Sequence, residues 1–239
     1  MVLTAKEPKA ATLATIQEES VLVTSPPNPK PAVTKTGRIK IIVGTQQFIG
    51  PKAALATVST YFRNTFDDDI LENTLTFNNI GPDIFRIFIG WVKNKKLMTA
   101  KGEEVKDYAT LIELYIFATR YDVPKMRDDL LTIIWERYMQ ERSRSSKMAI
   151  ASFAFSLRLI AQAFSNLPET SPLCRFLIDV TAWDSFPAGL NEEERKAFNE
   201  AEKFLVGLWA VCSDRLPLRK AGEVAPFDQG TKAYYEHKE

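Results

Sequence analysis

Hydrophobic positions change their spacing along the chain, and the first such change lies between residues 38 and 66. β-Branched residues dominate the run from Ile39 to Val43, and Phe48-Ile49 forms a second short apolar stretch. The residues between them, Gly44-Thr45-Gln46-Gln47, are typical of turns. The pattern therefore predicts two strands joined as a hairpin.

Two short helices are predicted directly after this hairpin. Gly50-Pro51 ends the second strand, and proline suits a helix start because the first N–H groups of a helix lack intrahelical partners. Residues 52–57 are therefore expected to be helical, and Ser59 is expected to cap a second helix that begins at Thr60. On that helix, Tyr61, Phe62 and Phe66 would face a core, with Arg63 and Asn64 turned outward.

Helical spacing dominates from Asp107 to Gln140. Apolar residues at intervals of three and four predict one helix, Asp122-Val123-Pro124 ends it, and residues 130–135 belong to the next. The polar residues 93–96 and 99–106 are interpreted as a solvated loop and not as a nucleic-acid patch.

A third pattern follows residue 143. An amphipathic helix is predicted over 149–164, where Arg158 argues against a membrane span, and 173–182 is expected to be a short helix or a strand. Asn191 and three glutamates open a long predicted helix through Cys212, which Pro217 ends. We expect a disordered Pro-rich tail at 1–37 and a flexible tail at 217–239.

Charge and cysteine content narrow the class of protein. The 239-residue chain has 31 Lys and Arg against 30 Asp and Glu, a net charge of +1, so no overall field favours nucleic acid or an anionic membrane. Cys174 and Cys212 are far apart and fit reduced, buried thiols better than a disulfide or a zinc site. No secretory signal is evident, and the expected location is the cytoplasm, the nucleus or both.

No pattern of catalytic residues is evident. The single histidine, His237, is in the predicted C-terminal tail, which argues against hydrolases with a histidine base. Neither glycine-rich phosphate-binding motif occurs. Asp67-Asp68-Asp69 could ligate a hard cation, but without further oxygen ligands at defined spacing a solvated helix end explains these residues better. The sequence predicts no enzymatic activity, no cofactor and no metal.

The order of sequence motifs resembles that of the BTB/POZ family, and the motifs are most similar to those of fungal members. The second strand and the first helices contain F-x-x-x-K-x-x-L (Phe48, Lys52, Leu55) and S-x-Y-F-R-x-x-F (Ser59 to Phe66). Leu75-Thr76-Phe77 would be the next strand. The segments 82–91 and 111–124 resemble the family's P-x-x-F-x-x-F-x-x-W and L-x-x-L-Y-x-x-A-x-x-Y-x-x-P motifs.

This resemblance implies an α/β (α+β) fold with a small β-sheet flanked by a helical cluster. We expect the BTB/POZ-like domain at 38–142, followed by an all-helical extension at 143–216. The family implies a non-enzymatic module for homodimerisation, heterodimerisation or scaffolding with protein partners. Binding to nucleic acid or to a membrane is not expected. Two alternatives remain open: a substrate adaptor that binds a cullin of a ubiquitin ligase, and a structural subunit of a larger assembly.

The resemblance also places a dimer interface on the first helices, although the aromatic residues there could instead be purely core residues. The interface candidates are Lys52, Leu55, Tyr61, Phe62 and Phe66. Many members have an acid at the head of the first strand and His-Lys or His-Arg before the first helix. Here Arg38 and Pro51-Lys52 take those positions, so a pocket built on opposite charges would be like-charged.

Overall fold

The structure is a computed structural model, and it describes residues 37–67, 74–144, 155–183, 192, 196, 204–209 and 226–235. Residues 1–36 of the tail predicted at 1–37, together with Cys212 and His237, lie outside the described residues. So do most positions of the helix predicted from Asn191 to Cys212, of which 204–209 are described and helical.

One sheet of three strands forms in the described part of the chain. The strands are β1 (Arg38–Val43), β2 (Gln46–Pro51) and β3 (Thr74–Phe77), in the order β2-β1-β3. The pair β1 and β2 is antiparallel and forms the predicted hairpin, whereas β1 and β3 are parallel. Its turn is shorter than predicted, because Gly44 has φ +56° and permits a two-residue connection.

The two faces of the sheet differ in exposure. Ile39, Ile41 and Val43 alternate along β1 and are buried against the helices, whereas Arg38 and Lys40 are exposed on the opposite face. A parallel neighbour requires a crossover connection, and the two helices after β2 supply it. The sheet therefore has one face in the core and one face toward solvent.

The helices follow the predicted breaks closely. Their bounds are α1 (Lys52–Val58), α2 (Thr60–Asp67), α3 (Pro82–Asn94), α4 (Tyr108–Arg120), α5 (Pro124–Arg144), α6 (Leu157–Asn166) and α7 (Pro172–Trp183). Asp107 caps α4 by accepting a hydrogen bond from the Thr110 N–H at 2.7 Å. Residues 173–182, which were predicted to be either a short helix or a strand, belong to the helix α7.

The start of α6 differs from the prediction. Ser156 caps this helix, which begins at Leu157 and not at Ala149; residues 149–154 lie outside the described residues. Phe155 precedes the cap and is fully buried, with its ring centroid 4.5 Å from that of Tyr108 on α4. The apolar spacing across Phe155 therefore reflects core packing and not one continuous helix.

The described part of the helical extension shares a core with the described residues between 37 and 144. Phe155 also contacts Tyr138 and Phe176, and Phe164 on α6 packs against Phe204 with ring centroids 5.2 Å apart. The predicted architecture of a small sheet, a helical cluster and a C-terminal helical region is confirmed.

Residues 226–235, which the sequence assigned to a flexible tail, instead pack on the helices. They form the 3-10 helices Pro226–Gln229 and Thr231–Ala233. The Tyr234 side chain is buried, and its hydroxyl donates a hydrogen bond to Asp179 at 2.7 Å. We call residues 226–235 the C-terminal strap.

Candidate interaction surface

The surface that the sequence predicts as an interface is the α1–α2 corner, residues 52–67. Its shape depends on Ser59, which lies between the two helices and is buried. The Ser59 Oγ accepts a hydrogen bond from the Phe62 N–H at 3.1 Å, which caps α2 as predicted. The same hydroxyl donates to the Tyr121 carbonyl at 2.6 Å, so the corner is tied to the turn after α4.

Three of the five interface candidates lie inside the protein. Leu55 and Phe62 are 0 % exposed and Phe66 is 9 % exposed. The Phe62 ring stacks on Phe88 of α3 with centroids 5.8 Å apart. In this fold Leu55 and Phe62 have no surface to offer a partner, so an interface at the corner would depend on its exposed side chains.

Tyr61 combines an exposed surface with a fixed ring. The residue is 38 % exposed, and its ring meets the Tyr121 ring edge-on with centroids 5.0 Å apart. Burial raises the pKa of Tyr121, and the neighbouring Tyr61 adds to the rise. The edge-on contact with Tyr121 supports one side of the Tyr61 ring.

Sequence reasoning missed a second tie between the corner and the turn after α4. The Thr60 hydroxyl contacts the carboxylate of Asp122, a residue with φ +46°. Non-glycine residues rarely adopt this conformation, although aspartate tolerates it better than most. The Asp-Val-Pro helix break was visible in the sequence, but its contact with Thr60, 62 positions earlier, was not.

The two cationic positions have different surroundings. Lys52 is half-buried, its Nζ is 5.9 Å from the centroid of the Phe66 ring, and its N–H donates to the Gly37 carbonyl. Arg38 is exposed and is paired in register with Pro51 at the edge of the corner. Whether they form the predicted like-charged pocket in an assembly stays a prediction.

Comparison with known proteins agrees with the motifs. Residues 38–133 match the BTB/POZ domain family model. The predicted family resemblance is confirmed over this segment, which is less than half of the chain. Among solved structures, the BTB domain of zebrafish PATZ1 is 22% identical, and the match covers 41% of this chain and 75% of that one with a TM-score of 0.35. No curated protein matches the chain significantly.

The BTB/POZ segment also contains a groove of about 760 Å³ beside α3 and α5. Trp91, Leu97, Met98 and Ile133 line it together with three lysines. The Trp91 indole N–H donates to Asp129 at 2.9 Å, and the Lys95 ammonium lies 4.1 Å from the Trp91 ring centroid. The polar groups around the tryptophan are thus used in contacts within the domain.

Within the ranges that the structure describes, no three His, Cys, Asp or Glu side chains are grouped so that they could hold a metal ion. Cys174 is buried. No helix in the described ranges is long and apolar enough to cross a bilayer.

Proposed function

We propose that this chain is a non-enzymatic protein–protein interaction module that self-associates through the α1–α2 corner of its BTB/POZ domain. BTB/POZ domains generally act as interaction modules, and the family match over residues 38–133 supports this role. The observation that carries the choice of surface is Tyr61, an exposed aromatic residue on a corner that hydrogen bonds hold in place.

Tyr61 would lose little conformational entropy on binding. Its ring already packs against Tyr121 and Phe62, with centroids 5.0 and 5.4 Å away. A side chain held in one conformation loses less entropy at an interface, and tyrosine is enriched among residues that dominate binding energy. We therefore place Tyr61 at the centre of the interface, with half-buried Lys52 at its rim.

Light scattering on the full chain across a concentration series tests this proposal. We expect a dimer that dissociates on dilution and that Tyr61→Ser weakens about tenfold, which corresponds to about 1.4 kcal/mol. Ile49→Ser is the matched control, because Ile49 is exposed at 62 % but lies on the sheet and outside the corner. A monomer at all concentrations, or equal loss in both variants, would refute self-association through the corner.

We further propose that Arg38 and Lys52 disfavour the strand-swapped dimers and corepressor binding of transcription-factor BTB domains. A cation at both positions leaves no opposite charge to pair across such a pocket. Arg38→Asp should then permit an opposite-charge pair with Lys52 and strengthen self-association. If Arg38→Asp changes neither self-association nor stability while a corepressor peptide binds the wild-type chain, this proposal fails.

A second role, as a structural subunit of a larger assembly, has one observation in its favour. In the helical residues 204–209, Phe204 is fully buried, whereas Val206 is 63 % and Trp209 is 76 % exposed. Spacing of three places these two on one helix face, as a docking surface requires. If the full chain is monodisperse alone and Trp209→Ser leaves its solubility unchanged, the subunit role is unsupported.

The cullin-adaptor role remains an alternative carried by family resemblance alone. It is tested by a pull-down of the full chain with a purified cullin N-terminal domain. Retention at micromolar concentration would support the adaptor role, and no retention would remove it.

A further inference from the structure

The solvent-facing side of the sheet has a regular arrangement of side chains. Residues that face each other across strands share a face. One row is Ile49, Lys40 and Thr74, and the next row is Gln47, Ile42 and Thr76. We call these six residues, together with Arg38 at the head of β1, the outer sheet face.

Two isoleucines of this face, one on the central strand β1 and one on the edge strand β2, are not used by the core. Ile49 is 62 % exposed, and Ile42 is half-buried. Neither belongs to the hydrophobic cluster or to the partly buried residues packed against it. Single exposed apolar residues are common, but here two lie diagonally across adjacent strands, close enough for their side chains to form one apolar patch.

The charges around this patch have one sign. Arg38 and Lys40 are both exposed, and neither forms an ion pair within the residues that the structure describes. The other members of the face are glutamine, threonine and isoleucine, so no carboxylate on the face balances the two cations. The face thus presents two aliphatic side chains, with Lys40 between Ile49 and Thr74 on the central strand, Arg38 at one end and neutral polar groups on the outer strands.

We propose that the outer sheet face is a docking surface for an acidic segment of a partner protein, one with aliphatic side chains between its carboxylates. The aliphatic side chains would cover Ile42 and Ile49, and the carboxylates would pair with Lys40 and Arg38. Complementary charge mainly sets orientation and specificity, whereas the apolar contact excludes water. Except for Arg38, which also borders the α1–α2 corner, this face lies outside that corner.

Other occupants fit the face less well. A second copy of the same face would bring Lys40 and Arg38 toward identical cations, which opposes pairing. Nucleic-acid binding depends on many phosphate contacts, and the two cations of this face supply few. An anionic membrane surface likewise attracts clusters of basic residues. A short acidic and aliphatic peptide matches the number and spacing of groups best.

The test is an NMR titration of the isotope-labelled full chain with a peptide of alternating glutamate and valine. We expect amide shifts in β1, β2 and β3, and about tenfold weaker binding by Lys40→Glu. Ile49→Thr keeps a strand-forming residue and should also weaken binding. Lys101→Glu reverses an exposed lysine elsewhere and should bind like the wild type. A lysine–valine peptide should not bind.

Three outcomes would overturn the proposal. One is no shift in the sheet at millimolar peptide. Another is an equal effect of Lys40→Glu and Lys101→Glu, which would indicate binding governed by net charge. The third is that phosphatidylserine vesicles or duplex DNA bind through Lys40 while the peptide does not, which would identify the face as a phosphate-binding surface. Self-association measured on the same variants reports separately on the α1–α2 corner.

Discussion

Ser59 and Tyr121 are joined across 62 positions by a hydrogen bond of 2.6 Å from the buried serine hydroxyl to the tyrosine carbonyl. The same hydroxyl accepts from the Phe62 N–H, so one oxygen both starts α2 and attaches it to the turn between α4 and α5. Together with the contact between Thr60 and Asp122, this side chain therefore fixes the α1–α2 corner against that turn.

Ser59→Ala should consequently cost more than an ordinary serine substitution. It removes the cap of α2 and takes a donor from a buried carbonyl, together about 2 kcal/mol of unfolding free energy. Urea unfolding followed by circular dichroism measures this loss. The control is Ser143→Ala, because the exposed Ser143 hydroxyl only bonds the Gln140 carbonyl in its own helix. Equal midpoints for the two variants would contradict the role of Ser59.

Substitutions at the neighbouring positions Tyr61 and Phe62 on α2 should lower the stability by different amounts. Phe62 is fully buried and stacked on Phe88, so Phe62→Ala should cost about 4 kcal/mol of stability. Tyr61 is 38 % exposed, and Tyr61→Ala should cost about 1 kcal/mol while it weakens self-association. Unfolding curves and light scattering on both variants separate the two effects. The assignment is wrong if Phe62→Ala stays fully stable, or if Tyr61→Ala unfolds the domain.

Much of the fold could be predicted from the sequence because nearby residues determine where its helices and strands begin and end. Ser59 has the hydroxyl that a helix start favours, and Pro124 cannot continue α4 and suits the start of α5. Alternation along β1 separates Ile41 from Lys40 by face, and the same rule applied to β2 places Phe48 inward and Ile49 outward. The exposed Ile49 was therefore detectable from spacing, although its place in a patch required the strand order.

The features that could not be predicted from the sequence depend on contacts between residues far apart in the chain. On a two-turn helix, spacing alone gave Tyr61 and Phe62 the same core-facing role, and only packing by Phe88 and Tyr121 shows which of them is enclosed. The C-terminal strap has no helical or strand periodicity, because short 3-10 turns carry little pattern. Its attachment comes from Tyr234 and Asp179, 55 positions apart.

Tyr108 should make the protein sensitive to alkaline pH. Burial, and then the nearby Glu141 carboxylate, raise the pKa of Tyr108 far above its usual 10.0. Above about pH 10 the unfolded chain releases this proton while the folded chain keeps it, so unfolding becomes easier by up to about 1.4 kcal/mol per pH unit. Denaturant titrations at rising pH should show a smaller loss in Tyr108→Phe. Some loss should remain, because burial also raises the pKa of Tyr121. Identical slopes in variant and wild type would contradict this origin.

The C-terminal strap should open more often when the buried Tyr234 hydroxyl is removed. Tyr234 donates to the buried Asp179 carboxylate, and a hydrogen bond to a charged group contributes about 2 kcal/mol. Tyr234→Phe keeps the ring on Phe176 but loses this bond, so amide exchange over 226–235 should accelerate about thirtyfold at that free energy. Tyr235→Phe is the matched control, since the half-buried Tyr235 hydroxyl bonds to the neutral hydroxyls of Thr132 and Thr231, which are weaker contacts. Exchange that rises equally in both variants would show that Asp179 is not what holds the strap.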